Sequence, residues 1–188
     1  MSIGLLRGTV MVEKHNPEWE IIAKDTIVKL KNILQDVAVD LQHIGSTSIE
    51  GIVAKPIIDI VIGVNNLEDI LKMNNVLEEN GFIFRGQDHP DQYLYICGRG
   101  DFITHHIHVT KFDSETWNNY IDLRDYLNAH PKASKDYSSF KEELAKHFSN
   151  DRKTYTSKKS DFINSLLINA KRWKILKQGW KLYYFLSP

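Results

Sequence analysis

Hydrophobic positions recur along the chain at two periods, and the change from one to the other divides it. From Trp19 the residues Trp19, Ile22, Ala23, Ile27, Leu30, Leu34 and Val37 fall three and four apart, which predicts one amphipathic helix with lysines on its outer side. "NPEW" supplies Asn16 as N-cap and Pro17 as first helical position. Residues 8–14 before it read as a short strand. "VAVDLQHI" alternates and predicts a strand that ends at Gly45. "KPIIDIVIGV" is apolar on both faces and predicts a buried strand. "NLEDILKMNNVLEENG" predicts a helix capped by Asn65 or Asn66 and stopped by Gly81, and "FIFRG", "QYLYICG" and "FITHHIHVTKF" predict three more strands. Beyond Asp113 the period is helical: Ser114, Pro131 and Asp151 each open a helix. The fold class is therefore α/β (α+β). A mixed β-sheet core flanked by helices spans residues 1–113, and a C-terminal helical lobe spans 114–188. No flexible linker marks the boundary, so one packed domain fits equally well.

Composition narrows the classes. The chain has 188 residues and 42% hydrophobic content, enough for a real core. Lys+Arg and Asp+Glu balance at 24 each, which argues against nucleic acid as a partner. Cys97 is the one cysteine, so an internal disulfide framework and a cysteine-based zinc site are excluded. A reduced, cytoplasmic location is expected. The start "MSIGLLRGTVMVEKH" lacks the order of a signal peptide, and no apolar run reaches the roughly 20 residues of a membrane helix, so no membrane role is expected.

Candidate chemistry gathers in three places. In "KPIIDIVIGV", alternation puts Ile57, Asp59 and Val61 on one side and Ile58, Ile60 and Ile62 on the other. A carboxylate in such a run must meet water, a donor or a metal; Asp59 is either a hydrogen-bonded structural residue or a ligand facing a cleft. In the turn Gly45, Ser46, Thr47, Ser48, glycine permits an unusual backbone angle or a close approach by a ligand, and the hydroxyls and amides offer an anion pocket. It lacks the Gly-Lys-Ser/Thr of a P-loop, and ordinary turns use the same residues. In "ITHHIHVT", Ile103, His105, Ile107 and Val109 share one face; Thr104, His106, His108 and Thr110 share the other. His106 and His108 project side by side, a spacing that suits metal or phosphate contact but also a plain polar face. His105 is expected to be packed and hydrogen-bonded.

"RGTV" at Arg7, "NPEW" at Asn16, "HIGSTSIEGIVAKPIIDI", "HHIHV", "LRDYLNAHP" and "DRKTYTSKKSDFI" together resemble the GrpB family, over about Arg7 to about Ile168. The resemblance implies the nucleotidyltransferase superfamily, whose signature is a Gly-Ser turn, a strand with Asp-x-Asp/Glu and a third carboxylate on a neighbouring strand. Gly45 and Ser46 match the turn, and Asp59 matches the first carboxylate. Val61 stands where the second belongs, and His106 and His108 stand in for the third. The implied cofactor is a divalent metal held by Asp59, His106 and His108. Magnesium or manganese follows from the superfamily, whereas two imidazoles suit manganese, zinc or iron.

Lys55, Arg85 and Lys111 are candidates to neutralise phosphate. Arg124, Tyr155 and Lys158 lie in the family-like helical motifs as secondary candidates, with Arg124–Asp125 ion pairing the plainer expectation. His43 is placed to orient the turn. Three functions remain open: metal-dependent nucleotidyl or phosphoryl transfer, non-catalytic binding of a nucleotide or phosphorylated metabolite, and metal-assisted hydrolysis. The partner in each is a small molecule. Residues 171–188 extend past the usual family end as a basic aromatic tail: a packed extension, a partner-binding segment or neither.

Overall fold

The computed structural model describes residues 3–186, with side chains described to Lys177 on the last helix. Six strands form one mixed sheet: β1 (Leu5–Leu6), β2 (Ala38–Ile44), β3 (Ile58–Val64), β4 (Ile83–His89), β5 (Gln92–Arg99) and β6 (Phe102–Lys111). The order is β2-β3-β6-β5-β4, and β1 pairs with the start of β6 where β3 does not reach. Among the described residues, β3 and β6 are the one parallel pair. The short edge at β1 replaces the strand expected at 8–14, of which a single bridge, Glu13 to Ala54, remains.

Helix α1 (Glu18–Leu34) covers one face. The Asn16 side chain accepts from Glu18 N at 3.0 Å, as the "NPEW" reading requires. Its buried Trp19, Ala23, Leu30 and Leu34 meet Ile58, Ile60, Ile62, Val64, Ile107 and Val109 in the largest core cluster. These are the faces that alternation assigns. The helix expected at 66–81 is shorter: Leu67–Met73 forms tight 3-10 turns, and α2 is Asn74–Glu79.

Helices α3 (Glu115–Ala129), α4 (Pro131–His147) and α5 (Arg152–Leu186) cover the other face. Ser114 caps α3 by accepting from Trp117 N at 3.2 Å. The extension past Ile168 continues α5 and packs on α3. Lys174 pairs with Asp122 at 2.7 Å, Lys171 with Glu115 at 2.8 Å, and Trp173 sits edge-on to Tyr126 and His130. Tail side chains from residue 178 on lie outside the described residues. Among the described residues, no helix is long and apolar enough to cross a membrane.

The loop between β2 and β3 is bound to the helical lobe. Glu50 N donates to Asn128 Oδ1 (3.1 Å), Asn128 Nδ2 to Ser48 O (3.0 Å) and Val53 N to Ser138 Oγ (2.9 Å), while Lys141 Nζ donates to Val53 O. Ile49 and Ile52 add apolar contact with Leu127, Tyr137 and Leu166.

Candidate functional site

Between the sheet and the C-terminal helices lies a cleft of about 570 Å³. Asp59 is at its floor because β3 alternates: the isoleucines turn to α1, and Asp59 and Val61 turn to the helical lobe. Parallel pairing sets Asp59 beside His106 and Val61 beside His108. His106 Nδ1 donates to Asp59 Oδ1 at 3.1 Å, and His108 Nε2 stands 3.5 Å from the same oxygen. Burial raises the Asp59 pKa, but the hydrogen bonds and charges of the two histidines outweigh it and hold the carboxyl well below the usual range.

His108 is itself held from behind. Gln92 Nε2 donates to His108 Nδ1 (3.2 Å) and to Asp88 Oδ1 (3.1 Å), and Tyr120 O–H donates to Gln92 Oε1 (2.8 Å). Burial pushes the Tyr120 hydroxyl up, so it stays a donor.

The turn meets this centre directly. Gly45 has φ +71°, and a Cβ there would lie 2.5 Å from Asp59 Oδ2. The unusual backbone angle expected of this glycine is present, and the group that approaches it closely is the Asp59 carboxylate. Of the three hydroxyls, Ser48 Oγ bonds back to Gly45 O (2.7 Å) and Thr47 Oγ1 pairs with His43 Nε2 (2.9 Å). Ser46 Oγ makes no hydrogen bond among the described residues and lines the cleft.

His43 faces the α1 side and braces the turn from beneath; burial pushes its pKa down to about 4. Arg124 donates to Gln42 Oε1 (2.9 Å) and His43 O (3.1 Å) and pairs with Asp125 (2.8 Å), so it ties α3 to the end of β2. His105 is packed as expected: it faces Thr26 of α1 at 3.2 Å, and burial lowers its pKa to about 4.

Lys55 lines the cleft with its amine 4.3 Å from the centre of the Tyr155 ring. Arg85 is exposed and stands outside the cleft in a shallow depression with Arg7, His106 and Arg152. Lys158 lies over Phe148, in a groove between α4 and α5 away from Asp59. Lys111 is exposed at the far end of β6.

One reading from alternation needs correction. A bulge sets Cys97 opposite His105 and Gly98 opposite Ile103, skipping Thr104. Ile103 therefore packs with Ile57 and Ile96, on the Asp59 face. Val61 is 0% exposed and sealed with Ile44 and Trp117, so the second-carboxylate position does not open to the cleft.

Lys141, Arg152, Lys159, Gln92 and Tyr120 line the cleft without having been singled out from sequence. Helical spacing held a signal for two of them. Arg152, Tyr155 and Lys159 fall at i, i+3 and i+7, one stripe, from which Lys158 is turned away.

The ligand atoms of Asp59, His106 and His108 lie within 4.8 Å of one another. One carboxylate and two imidazoles on adjacent strands fit a manganese, iron or zinc ion by donor chemistry better than an all-oxygen magnesium site.

The GrpB protein family matches residues 9–169. The glutamate-rich protein GrpB of Alkalihalophilus pseudofirmus is 36% identical over 170 residues, covering 88% of this chain and 98% of that protein. The crystal structure of conserved protein GrpB from Enterococcus faecalis superposes with TM-score 0.81 at 28% identity, covering 87% of this chain and 99% of that one. The poly(U) polymerase Cid1, in complex with its short product ApU, gives TM-score 0.51 at 14% identity over 71% of this chain and 42% of that one; the likeness is one of fold. With the family match spanning most of the chain, the chain belongs to the GrpB family, and it shares its fold with the poly(U) polymerase Cid1.

Proposed function

We propose that the cleft binds a nucleotide or a similar phosphorylated small molecule and performs metal-dependent nucleotidyl or phosphoryl transfer. The observation that carries the reading is the convergence of Asp59, His106 and His108 beside the Gly45–Ser46 turn inside a cleft. Asp59, His106 and His108 would hold the ion, which would act as a Lewis acid toward phosphoryl oxygen. Gly45 lets the backbone reach the carboxylate, and the Ser46 hydroxyl is free to donate to a phosphate oxygen. Gln92 and Tyr120 orient His108, and Arg124 and His43 fix the turn.

One observation favours a second reading, binding without turnover: Val61 is sealed beneath Trp117. Nothing there supplies the oxygen ligand of a second ion.

The test incubates the protein with nucleoside triphosphates and Mn²⁺, Zn²⁺ or Mg²⁺, with and without small-molecule acceptors, and follows the released pyrophosphate or phosphate. Transfer that vanishes in Asp59→Asn supports the enzyme. Phosphate release without an acceptor makes it a hydrolase. Metal-dependent binding without release supports the second reading. No binding and no turnover with any nucleotide refutes both.

A further inference from the structure

One wall of the cleft carries four cations from three elements. Lys55 comes from the loop before β3, Lys141 from α4, and Arg152 and Lys159 from α5. Among the described residues none of the four forms a salt bridge, whereas Arg124, Lys171 and Lys174 nearby each have a carboxylate. The Lys141 side chain is 1% exposed, and its only hydrogen bond among the described residues is to Val53 O. A buried ammonium has three donors to satisfy. Its other near neighbour is the Tyr137 ring, 4.5 Å away. Among the described residues, the Lys55 ammonium likewise faces the Tyr155 ring and forms no hydrogen bond or salt bridge. Aromatic faces offer part of what a counter-ion would.

The four also act on one another. Burial first, then Lys159 and Arg152, bring the Lys55 pKa down to about 7, and burial with Lys159 brings Lys141 well below its ordinary value. The acids that reach them are weak opposition: Asp59 toward Lys55 and Glu142 toward Lys141. Asp59 is already taken up by His106 and His108, and Asp151, beside Arg152, bonds Thr154 at 2.6 Å. Uncompensated like charge is costly in a partly buried site, and an anion removes that cost.

We propose that Lys55, Lys141, Arg152 and Lys159 form a subsite for a condensed phosphate chain, the di- or triphosphate of a ligand, and that it binds the chain without a metal ion. A chain fits better than a single phosphate. Arg152 and Lys159 are seven residues apart on one helix, about 10 Å along its axis. A chain of two or three phosphates offers oxygens to all four side chains, which enter the cleft from three different elements. The proposal rests on the cleft reading above only for what the chain is attached to.

The probe is inorganic tripolyphosphate, measured by calorimetry in EDTA beside orthophosphate and pyrophosphate. The wild type is expected to bind tripolyphosphate at least about tenfold more tightly than orthophosphate. Lys159→Gln and Arg152→Gln, both on partly exposed helix positions, should each weaken it by about tenfold or more, the scale of one lost charge-assisted hydrogen bond. Lys158→Gln, one residue away but outside the cleft, should leave it unchanged. Lys141→Met should weaken it too; if that variant fails to fold, Lys159 and Arg152 still decide. Undetectable binding in EDTA overturns the subsite. So does binding that Lys159→Gln and Arg152→Gln leave intact, or equal affinity for orthophosphate. Because the probe carries no nucleoside and no metal, a failure of nucleotide turnover leaves this result standing, and loss of the subsite leaves turnover to be judged separately.

Discussion

Replacing Gly45 with alanine should cost far more than one methyl group. At φ +71° and ψ −171° the residue sits in a region that is nearly glycine-only, and holding alanine there costs about 1–3 kcal/mol. The new Cβ would also meet Asp59, at 2.5 Å from Oδ2, 2.9 Å from Cβ and 3.0 Å from Cγ. The carboxylate can withdraw only by loosening its 3.1 Å hydrogen bond from His106, a charge-assisted contact of the kind worth about 1.5–3 kcal/mol. Together the two effects predict a loss of about 3–5 kcal/mol, which for a chain of this size lowers Tm by about 6–20 °C. Thermal and urea unfolding followed by circular dichroism measure this. An Asp59→Ala background separates the causes. It removes Cγ and Oδ2 but keeps the Cβ contact, so the Gly45→Ala penalty should shrink there by about 1 kcal/mol or more. A single variant that melts within about 2 °C of the wild type would refute the reasoning. An equal penalty in both backgrounds would show that the carboxylate group plays no part.

Stability should fall on mild acidification. Burial holds His43 and His105 neutral to about 4, while in the unfolded chain they protonate near 6.5, so the unfolded state takes up protons first. Each histidine contributes a slope of up to about 1.4 kcal/mol per pH unit between pH 6.5 and 4; urea melts that are flat across that window would contradict this. Asp59 acts in a separate window: its stabilisation is present above its unfolded pKa and is lost as pH falls below 3.8. At the alkaline end the sign is that of a depressed lysine. Between the folded Lys55 value of about 7 and the unfolded 10.5, stability should rise with pH, and Lys55→Met should flatten the rise in melts taken from pH 7 to 9. Val61→Asp should not rebuild a second carboxylate ligand. It would place an unpaired acid between Ile44 and Trp117 and cost about 3 kcal/mol or more, and a variant with wild-type Tm would show that the position opens after all.

Much of the sheet was legible because period-2 patterns leave little choice of face. The isoleucines of β3 and the Ile107–Val109 pair of β6 met α1, and that same alternation turned Asp59, His106 and His108 to the opposite side. Local rules failed where backbone geometry departs from its repeat. The bulge at Thr104 moved Ile103 across the sheet, and the stretch from Leu67 wound into 3-10 turns that its apolar spacing does not distinguish from an α-helix. Within the candidate site, residues on neighbouring strands could be paired from sequence. Lys141 could not, because only the packing of α4 on the β2–β3 loop carries its amine to Val53 O. Lys158 and Lys159 are told apart by one step of helical arithmetic: Tyr155 selects Lys159, four residues on, for its own face.

The β2–β3 loop is fastened to α3 and α4 by hydrogen bonds from both directions, and Arg124 adds a further bond at the end of β2. One side of the cleft mouth is therefore anchored to the helices that form its roof, leaving no free hinge at that seam. Enzymes that close on their substrates show a binding rate that saturates, because a slow rearrangement follows the encounter. A cleft with a fixed mouth should behave otherwise. Observed association rates should climb linearly with ligand concentration, and selectivity among ligands should appear in how slowly each one leaves.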